Sequence, residues 1–301
     1  MMDFLSAMIT EQQLSNWEAL MDNVIIIASF VFLGAEFIRY ALLRQISWRI
    51  VGDTLTNYIT YAMSIGLIIL LFLGLYDGFI FNVFEFALFD IPTTGMTVLL
   101  CILLADLMYY WEHRFSHRVN FAWATHMVHH SSNHYNMSVA TRFGPMDGFW
   151  SVFFMVPLIF LGFSPLLVLF SHAVVLGYQT FLHTEAIGKL PRWIEYIFNT
   201  PSHHRVHHGA NAEYIDKNYG GILIIWDRLF GSFAEEKAEV RFGLVDSQQS
   251  LNPFVVFFQG FYEMIIALTK AKSLKDIFDI FCAPPEVQEK FKEPVIKVPA
   301  E

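Results

Sequence analysis

Residues 97–117 read TVLLCILLADLMYYWEHRFSH, an apolar run from Thr97 to Tyr110 that leads directly into two histidines, His113 and His117. The i, i+4 spacing places both imidazoles on one face of a helix. A helix that is apolar on nearly all sides belongs in a membrane or a large core, so this one delivers its histidines to the place where a span ends. Asp106 and Tyr110 lie seven and three residues before His113 on the same face. An acid inside a span is expensive and requires a partner. The expected partner is the outer ring nitrogen of a metal-ligating histidine, with Asp106 and Tyr110 supporting the ligands from behind.

Further apolar segments flank this one. Val24–Leu43 is long enough to span, since about 20 residues cross a hydrocarbon core. Its Glu36 and Arg39 are three apart and predict a local ion pair. Tyr58–Tyr76 is a cleaner second span. The acidic segment DGFIFNVFEFALFDIP, residues 77–92, reads as an interfacial helix. From Phe149 to Leu182 the chain is apolar but broken by Gly162, Ser164 and Pro165, which predicts two short helices forming a hairpin that returns to its starting side. Leu251–Thr269 is apolar enough to lie on the membrane, and the tail from Pro284 is charged. The expected architecture is an all-α integral membrane protein with four to five transmembrane or re-entrant helices and a cytoplasmic helical histidine-box cap. Its expected regions are N-terminal membrane helices in 1–112, a histidine-box region in 113–240 that includes the hairpin 149–182, and an amphipathic segment and tail in 241–301.

The sidedness follows from basic residues. Residues 1–23 have no Lys or Arg and four acids, unlike the basic start of a cleaved signal peptide. Arg44 and Arg49 follow the first span, the 77–92 connection has no basic residue, and Arg114, Arg118 and Arg142 follow the third span. The positive-inside rule then puts the histidines on the cytoplasmic face, of an inner membrane in a bacterium or of the endoplasmic reticulum in a eukaryote.

Composition agrees. Of 301 residues, 55% are apolar and 16% charged, well below the charged share of an ordinary soluble domain. A net charge of −9 leaves no broad basic surface for nucleic acid. Cys101 and Cys282, far apart in apolar surroundings, give no disulfide framework.

All 12 histidines fall between His113 and His208. His126, His129 and His130 stand in HMVHH, and His204, His207 and His208 in HRVHH. Both have i, i+3, i+4 spacing, again one face if helical. His183 closes the hairpin. These seven, with His113 and His117, are the nine candidate metal ligands, because neutral imidazole offers a nitrogen lone pair near pH 7. With about four to five ligands per ion, nine favour two metals. Imidazole alone does not choose among iron, copper, nickel and zinc. His172 and His134 read as packed or hydrogen-bonded residues, and His203 points away from its three neighbours in a helix.

At this point the runs DLMYYWEHRFSH, HMVHHSSNHYNMSVATR, QTFLHTEAIGKL and NTPSHHRVHHGANAEYIDKNYGGILIIWDRLFGSF resemble the fatty acid hydroxylase and sterol desaturase superfamily, and within it the alkylglycerol monooxygenases. The resemblance covers roughly residues 105–235. It implies a membrane di-iron enzyme that uses O₂ to hydroxylate a C–H bond of a lipid, an acyl, alkyl-ether or sterol-like chain. By motif, His113 and His117 match the first box, His126, His129 and His130 the second, and His204, His207 and His208 the third. His183 matches the additional histidine after the later membrane helices. Zinc is an alternative occupant in a purified sample. One position departs: alkylglycerol monooxygenases look to have Glu directly after the second histidine of the first box, where this chain has Arg118. Ether-lipid activity and tetrahydrobiopterin use therefore do not follow from the resemblance.

Such a reaction needs two electrons from outside. The chain has no Gly-rich dinucleotide fingerprint followed by an acidic residue, which implies a separate donor, an electron-transfer protein or a reduced pterin such as tetrahydrobiopterin. Aromatic residues of the hairpin, Phe149, Trp150, Phe153 and Phe154, are candidates for lining the lipid's path, although ordinary packing explains each singly. Desaturation shares the same first hydrogen abstraction and is one alternative. A membrane metal transporter or carrier is the other, but it would place ligands at the midplane on broken helices. Here Arg114, Arg118, Arg142 and Arg205 stand among the histidines, which fits an interface.

Overall fold

In the computed structural model, residues 5–71, 73–245 and 250–291 are described, without the side chains of 73–77 and 289. The end of the expected second span, residues 72–76, lies partly outside this description, as does the tail from residue 292. Among the described residues the chain is helical, with isolated bridges and no strand.

Helix α1, Glu11–Leu42, begins at a capping box in which Thr10 and Gln13 satisfy each other's backbone amides. It starts 13 residues before the apolar run expected to span. Helix α2 is Trp48–Leu71, α3 is Leu73–Phe84, and α4 is Gly95–Arg118, again entered through a capping box, Thr94 with Thr97. Three of these, α1, α2 and α4, are long and apolar enough to cross a membrane. Ile27, Val31 and Ile38 of α1 are exposed, an apolar outer face suited to lipid rather than water.

The hairpin forms as expected from its breakers. Helix α6, Phe149–Leu161, and α7, Pro165–Thr180, are joined at Gly162, whose φ of 114° favours glycine. A Cβ there would meet the Phe89 carbonyl oxygen at 2.1 Å. The tip is tied to the α3–α4 connection, where Leu88 N–H donates to Phe160 O at 2.8 Å. At a rise of about 1.5 Å per residue, each arm is shorter than a full span. The same end holds the start of the chain, because Ile9 N–H donates to Thr93 O at 2.8 Å. The histidines gather at the opposite ends of these helices.

α4 is the central element: it packs against both hairpin arms and α5, Asn120–His130, while α7 also packs on α1. The main apolar core joins Leu14, Cys101, Ala105, Met155, Ile159, Leu167 and Val175. Cys101 is buried, Cys282 is exposed, and neither forms a disulfide. A compact region follows, with short helices α8 (Arg192–Ile197), α9 (Pro201–His207) and α10 (Ile225–Phe230). Helix α11, Pro253–Lys270, then packs on α5 and α2, and α12, Leu274–Cys282, packs on α5 and α11.

One expectation is corrected here. Glu36 does not form the local pair with Arg39. Its carboxylate accepts Met137 N–H at 2.8 Å and the Thr184 hydroxyl at 2.5 Å. The buried acid satisfies a backbone amide and a buried hydroxyl of these two loops, groups that would be costly to leave unpaired.

Candidate metal centre

Four pieces of chain converge. α4 runs without a break from its apolar part through His113 and His117, whose ring centroids are 5.3 Å apart. α5 presents His126, His129 and His130 from its last two turns. α9 begins with Pro201 at its first position, where no N–H is needed, and carries His204 and His207, with His208 as its C-cap. His183 follows α7 directly.

The nine rings divide into two groups. His113, His117, His126, His130 and His207 form the first, and His129, His183, His204 and His208 the second. Within each group one nitrogen per residue lies within 4.8 Å of every other. The second and third boxes are thus each shared: His126 and His130 go one way and His129 the other, as do His207 against His204 and His208. Ring centroids of His130 and His208 are 4.4 Å apart, so the groups adjoin.

The rings are held by their outer nitrogens. His113 Nδ1 lies 2.9 Å from Tyr219 O, His183 Nδ1 3.0 Å from Gln179 O, His207 Nδ1 3.0 Å from Lys217 O and His129 Nδ1 3.3 Å from Arg142 O. A carbonyl can only accept, so each Nδ1 carries the proton and each Nε2 keeps its lone pair. His117 Nδ1 is 3.6 Å from Asp216 Oδ1, and His126 Nδ1 is 3.8 Å from Asp147 Oδ1.

That tautomer leaves lone pairs facing one another. His129 Nε2 and His183 Nε2 are 3.2 Å apart. Both outer nitrogens donate elsewhere, so neither inner nitrogen has a proton to share, and the approach calls for a cation. Nε2 of His117, His130, His207 and His208 is buried with no hydrogen-bond partner. Leaving such atoms unpaired costs about 1–3 kcal/mol each, and a metal ion recovers it. Burial, followed by the neighbouring imidazoles, holds His129, His130, His204 and His208 well below the usual histidine range. Burial takes His183 down to about 4. These rings are neutral at pH 7, the form that ligates. The donor set fits a late first-row metal, and it contains no thiolate.

Asp106 and Tyr110 do not reach a histidine ring nitrogen. The Asp106 carboxylate accepts Ile222 N–H at 2.6 Å, Leu223 N–H at 3.1 Å and Trp226 Nε1–H at 2.8 Å. The Tyr110 hydroxyl lies 2.9 Å from Ser232 Oγ and accepts from Arg114 at 2.8 Å. The reason is geometric: the returning chain 219–232 lies between them and the rings, and its exposed amides are better matched to a carboxylate. Asp227 anchors the same loop by accepting Tyr219 N–H and Gly220 N–H. Asp106 acts one step removed, fixing the loop whose Tyr219 carbonyl holds His113.

The sequence reading missed Asp147, Asp216 and the carbonyls of Arg142, Gln179, Lys217 and Tyr219. The DKN segment did carry a signal. Asp216 and Asn218 adopt φ of 59° and 57°, the left-handed region that Asp and Asn tolerate best among non-glycine residues. This double turn aims Lys217 O and Tyr219 O at the rings. Arg118 donates to Asp216 and, at 3.1 Å, to Glu286, so it stands behind His117 through a carboxylate. His203 Nε2 is 3.2 Å from Glu195, outside both groups, and His172 Nε2 is 3.8 Å from Glu112. The hairpin aromatics do not line the large cavity at the centre, which is walled instead by α5, α11 and the chain after α12.

The fold and site define a membrane-type helical protein with a polyhistidine centre suited to metal. The fatty acid hydroxylase family model matches residues 98–232 of this chain. The chain is similar to alkylglycerol monooxygenase of Danio rerio, 47% identical over 53% of this chain and 36% of that protein. It is 42% identical to the alkylglycerol monooxygenase of Homo sapiens over 60% of this chain and 40% of the other. An ornithine lipid hydroxylase, OlsE of Rhizobium tropici, is 31% identical over 45% of this chain and 41% of its own length. The chain thus spans less than half the length of the relatives it matches. No solved structure matches it.

Proposed function

We propose that this chain is a metal-dependent monooxygenase that uses O₂ to hydroxylate a C–H bond of a membrane lipid, with two iron ions held by the nine histidines. The observation that carries this reading is the pair of adjoining imidazole groups in which four inner nitrogens are buried and unpartnered and the other five face one another. His113, His117, His126, His130 and His207 would hold one ion, and His129, His183, His204 and His208 the other. The names of the relatives, an alkylglycerol monooxygenase and a lipid hydroxylase, support the reaction class.

Bound iron supplies the redox chemistry that activates O₂ toward a C–H bond. The chain's own residues do the rest. The carbonyls of Tyr219, Lys217, Gln179 and Arg142 keep each Nε2 aimed inward. Asp216 and Asp147 lie behind His117 and His126 and raise the basicity of those rings. The apolar packing around α4 excludes water, which protects a reactive centre. An external reductant, an electron-transfer protein or a reduced pterin, provides two electrons. The distribution of arginines supports a cytoplasmic site, in an inner membrane or the endoplasmic reticulum.

The test is metal analysis of protein produced with iron, joined to comparative lipid mass spectrometry of cells with and without it. About two ions per chain and lipids heavier by about 16 Da are expected, zinc counting as an occupant in purified material. Lipids lighter by about 2 Da would redirect the assignment to desaturation. Absence of tightly held metal would remove the proposal.

A further inference from the structure

A cavity of about 1010 Å³ opens between α5, α11, the loops 209–216 and 241–245, and the turn Pro285–Phe291. His117, His130, His207 and His208 line one part of it, and of the nine candidate ligands these are the four whose Nε2 is buried and unpartnered. The cavity therefore ends on members of both histidine groups. Its other walls include Trp123, Met127, Ile215, Leu244, Ile266 and Phe291, all apolar.

Besides Arg241, the charged lining residues are matched to partners within the protein. Asp216 and Glu286 are bound by Arg118, Glu263 accepts from Gln259 at 2.9 Å, and Lys270 donates to Phe291 O at 2.9 Å. They form no concentrated basic cradle of the kind a phosphate-bearing cofactor requires.

The wall made by α11 is continuous with an exposed apolar strip. Phe254, Val255, Phe258 and Ile265 of α11 are exposed, as are Leu274, Ile277 and Phe278 of α12. Tyr262 and Ile266 belong to both surfaces: they line the cavity and are themselves 64% and 37% exposed. Two consecutive helices with such faces lie in a membrane interface with the apolar side toward the acyl chains. The strip meets the cavity at Tyr262 and Ile266.

From this we infer that the cavity is the site for one long hydrocarbon chain of a membrane amphiphile. The chain enters past Tyr262 and Ile266, and these two residues set which chains fit. The inference rests on the oxygenase reading for the purpose of the site, and it assigns to residues 241–291, which lie beyond the family-matched segment, a direct part in binding substrate.

The test uses the full chain in phosphatidylcholine nanodiscs, loaded with iron, and a long-chain alcohol carrying a diazirine near its terminus. After photolysis, peptide mass spectrometry should find the label on Met127, Ile266 and residues 241–245. Ile266→Trp should reduce label at Met127 by about tenfold, the effect of filling a pocket at about 1.4 kcal/mol, with metal content unchanged. Ala212→Trp narrows the cavity from the other wall and should do the same, which keeps the test sound if Ile266→Trp folds poorly. Label confined to the outer faces of α1, α6 and α7, or label at Met127 unaffected in both folded variants, would overturn the inference. Label at Met127 without bound metal would support the cavity assignment while removing the oxygenase reading.

Discussion

Arg142 Nη1 lies 2.9 Å from Asp53 Oδ1, with both side chains fully buried. The pair links α2 to the histidines. Arg142 also donates through Nε to Val128 O at 3.0 Å and Ser131 Oγ at 2.9 Å, and through Nη1 to Asn57 Oδ1 at 2.6 Å. Its own carbonyl holds His129. One residue thus ties the end of α5 to a membrane helix and orients a ligand. Removing one partner strands a buried charge, so Asp53→Ala should cost about 3–5 kcal/mol. Thermal unfolding in detergent measures this, and metal analysis should show a loss in the group that contains His129. Unchanged stability would mean that the pair is not buried as described.

The division into two groups makes a prediction that a single shared site does not. His207→Ala should deplete the five-histidine group and His183→Ala the four-histidine group, each lowering metal from about two ions per chain to about one. Either should abolish lipid oxidation, as should His117→Ala and His130→Ala. His172→Ala and His203→Ala should retain both ions. Equal, complete loss of metal in every variant would favour one indivisible cluster.

Arg118 acts through Asp216. Its side chain is 41% exposed, so the ion pair itself contributes little to stability, on the order of 0–1 kcal/mol. Arg118→Glu, which sets like charges beside Asp216 and Glu286, should push Asp216 away from His117. Changes behind a ligating histidine typically cost about 10–100-fold in metal affinity, and a chelator competition titration reads this directly. An affinity equal to that of the unaltered protein would show that Asp216 does not support His117.

Gly260 marks the closest approach of α11 to α5. A Cβ there would sit 2.0 Å from the Ala124 carbonyl oxygen, which is helix backbone and cannot swing aside. Gly260→Ala should therefore destabilise the protein by about 1–3 kcal/mol through overpacking, despite alanine's better helix propensity. A rise in melting temperature would show that the two helices separate easily.

Metal removal should weaken the whole fold, because the ligands come from four separated pieces of chain. A ligand present at about 100 times its dissociation constant contributes about 2.7 kcal/mol. Treatment with a strong chelator should lower the unfolding temperature, and iron should restore it. Identical unfolding with and without metal would argue against a bound ion in the native state.

Much of this was legible in the residues. The breakers Gly162 and Pro165 announced the hairpin, and the spacing in HRFSH, HMVHH and HRVHH announced helical faces, because both are local properties of the backbone. Asp53, Asn57, Thr60 and Ser64, buried on one face of α2, had the same helical spacing and escaped notice because the expected start of the span at Tyr58 divides them. Asp106 was recognised as needing a partner, but the partner came from residues 222–226, more than 100 positions away. Nothing in the local pattern encodes that choice.

The sequence by itself determined that this is a helical membrane-type chain whose histidine boxes reach one end, since apolar length, turn residues and i, i+4 spacing are set within a few residues. Only the tertiary structure decided how nine imidazoles divide between two groups and which carbonyl holds each ring. It also decided that α11 and the turn after α12, outside the histidine boxes, wall the cavity beside them. These depend on side chains brought together across the fold, where a rotation of about 100° per residue sends neighbours such as His129 and His130 to different centres.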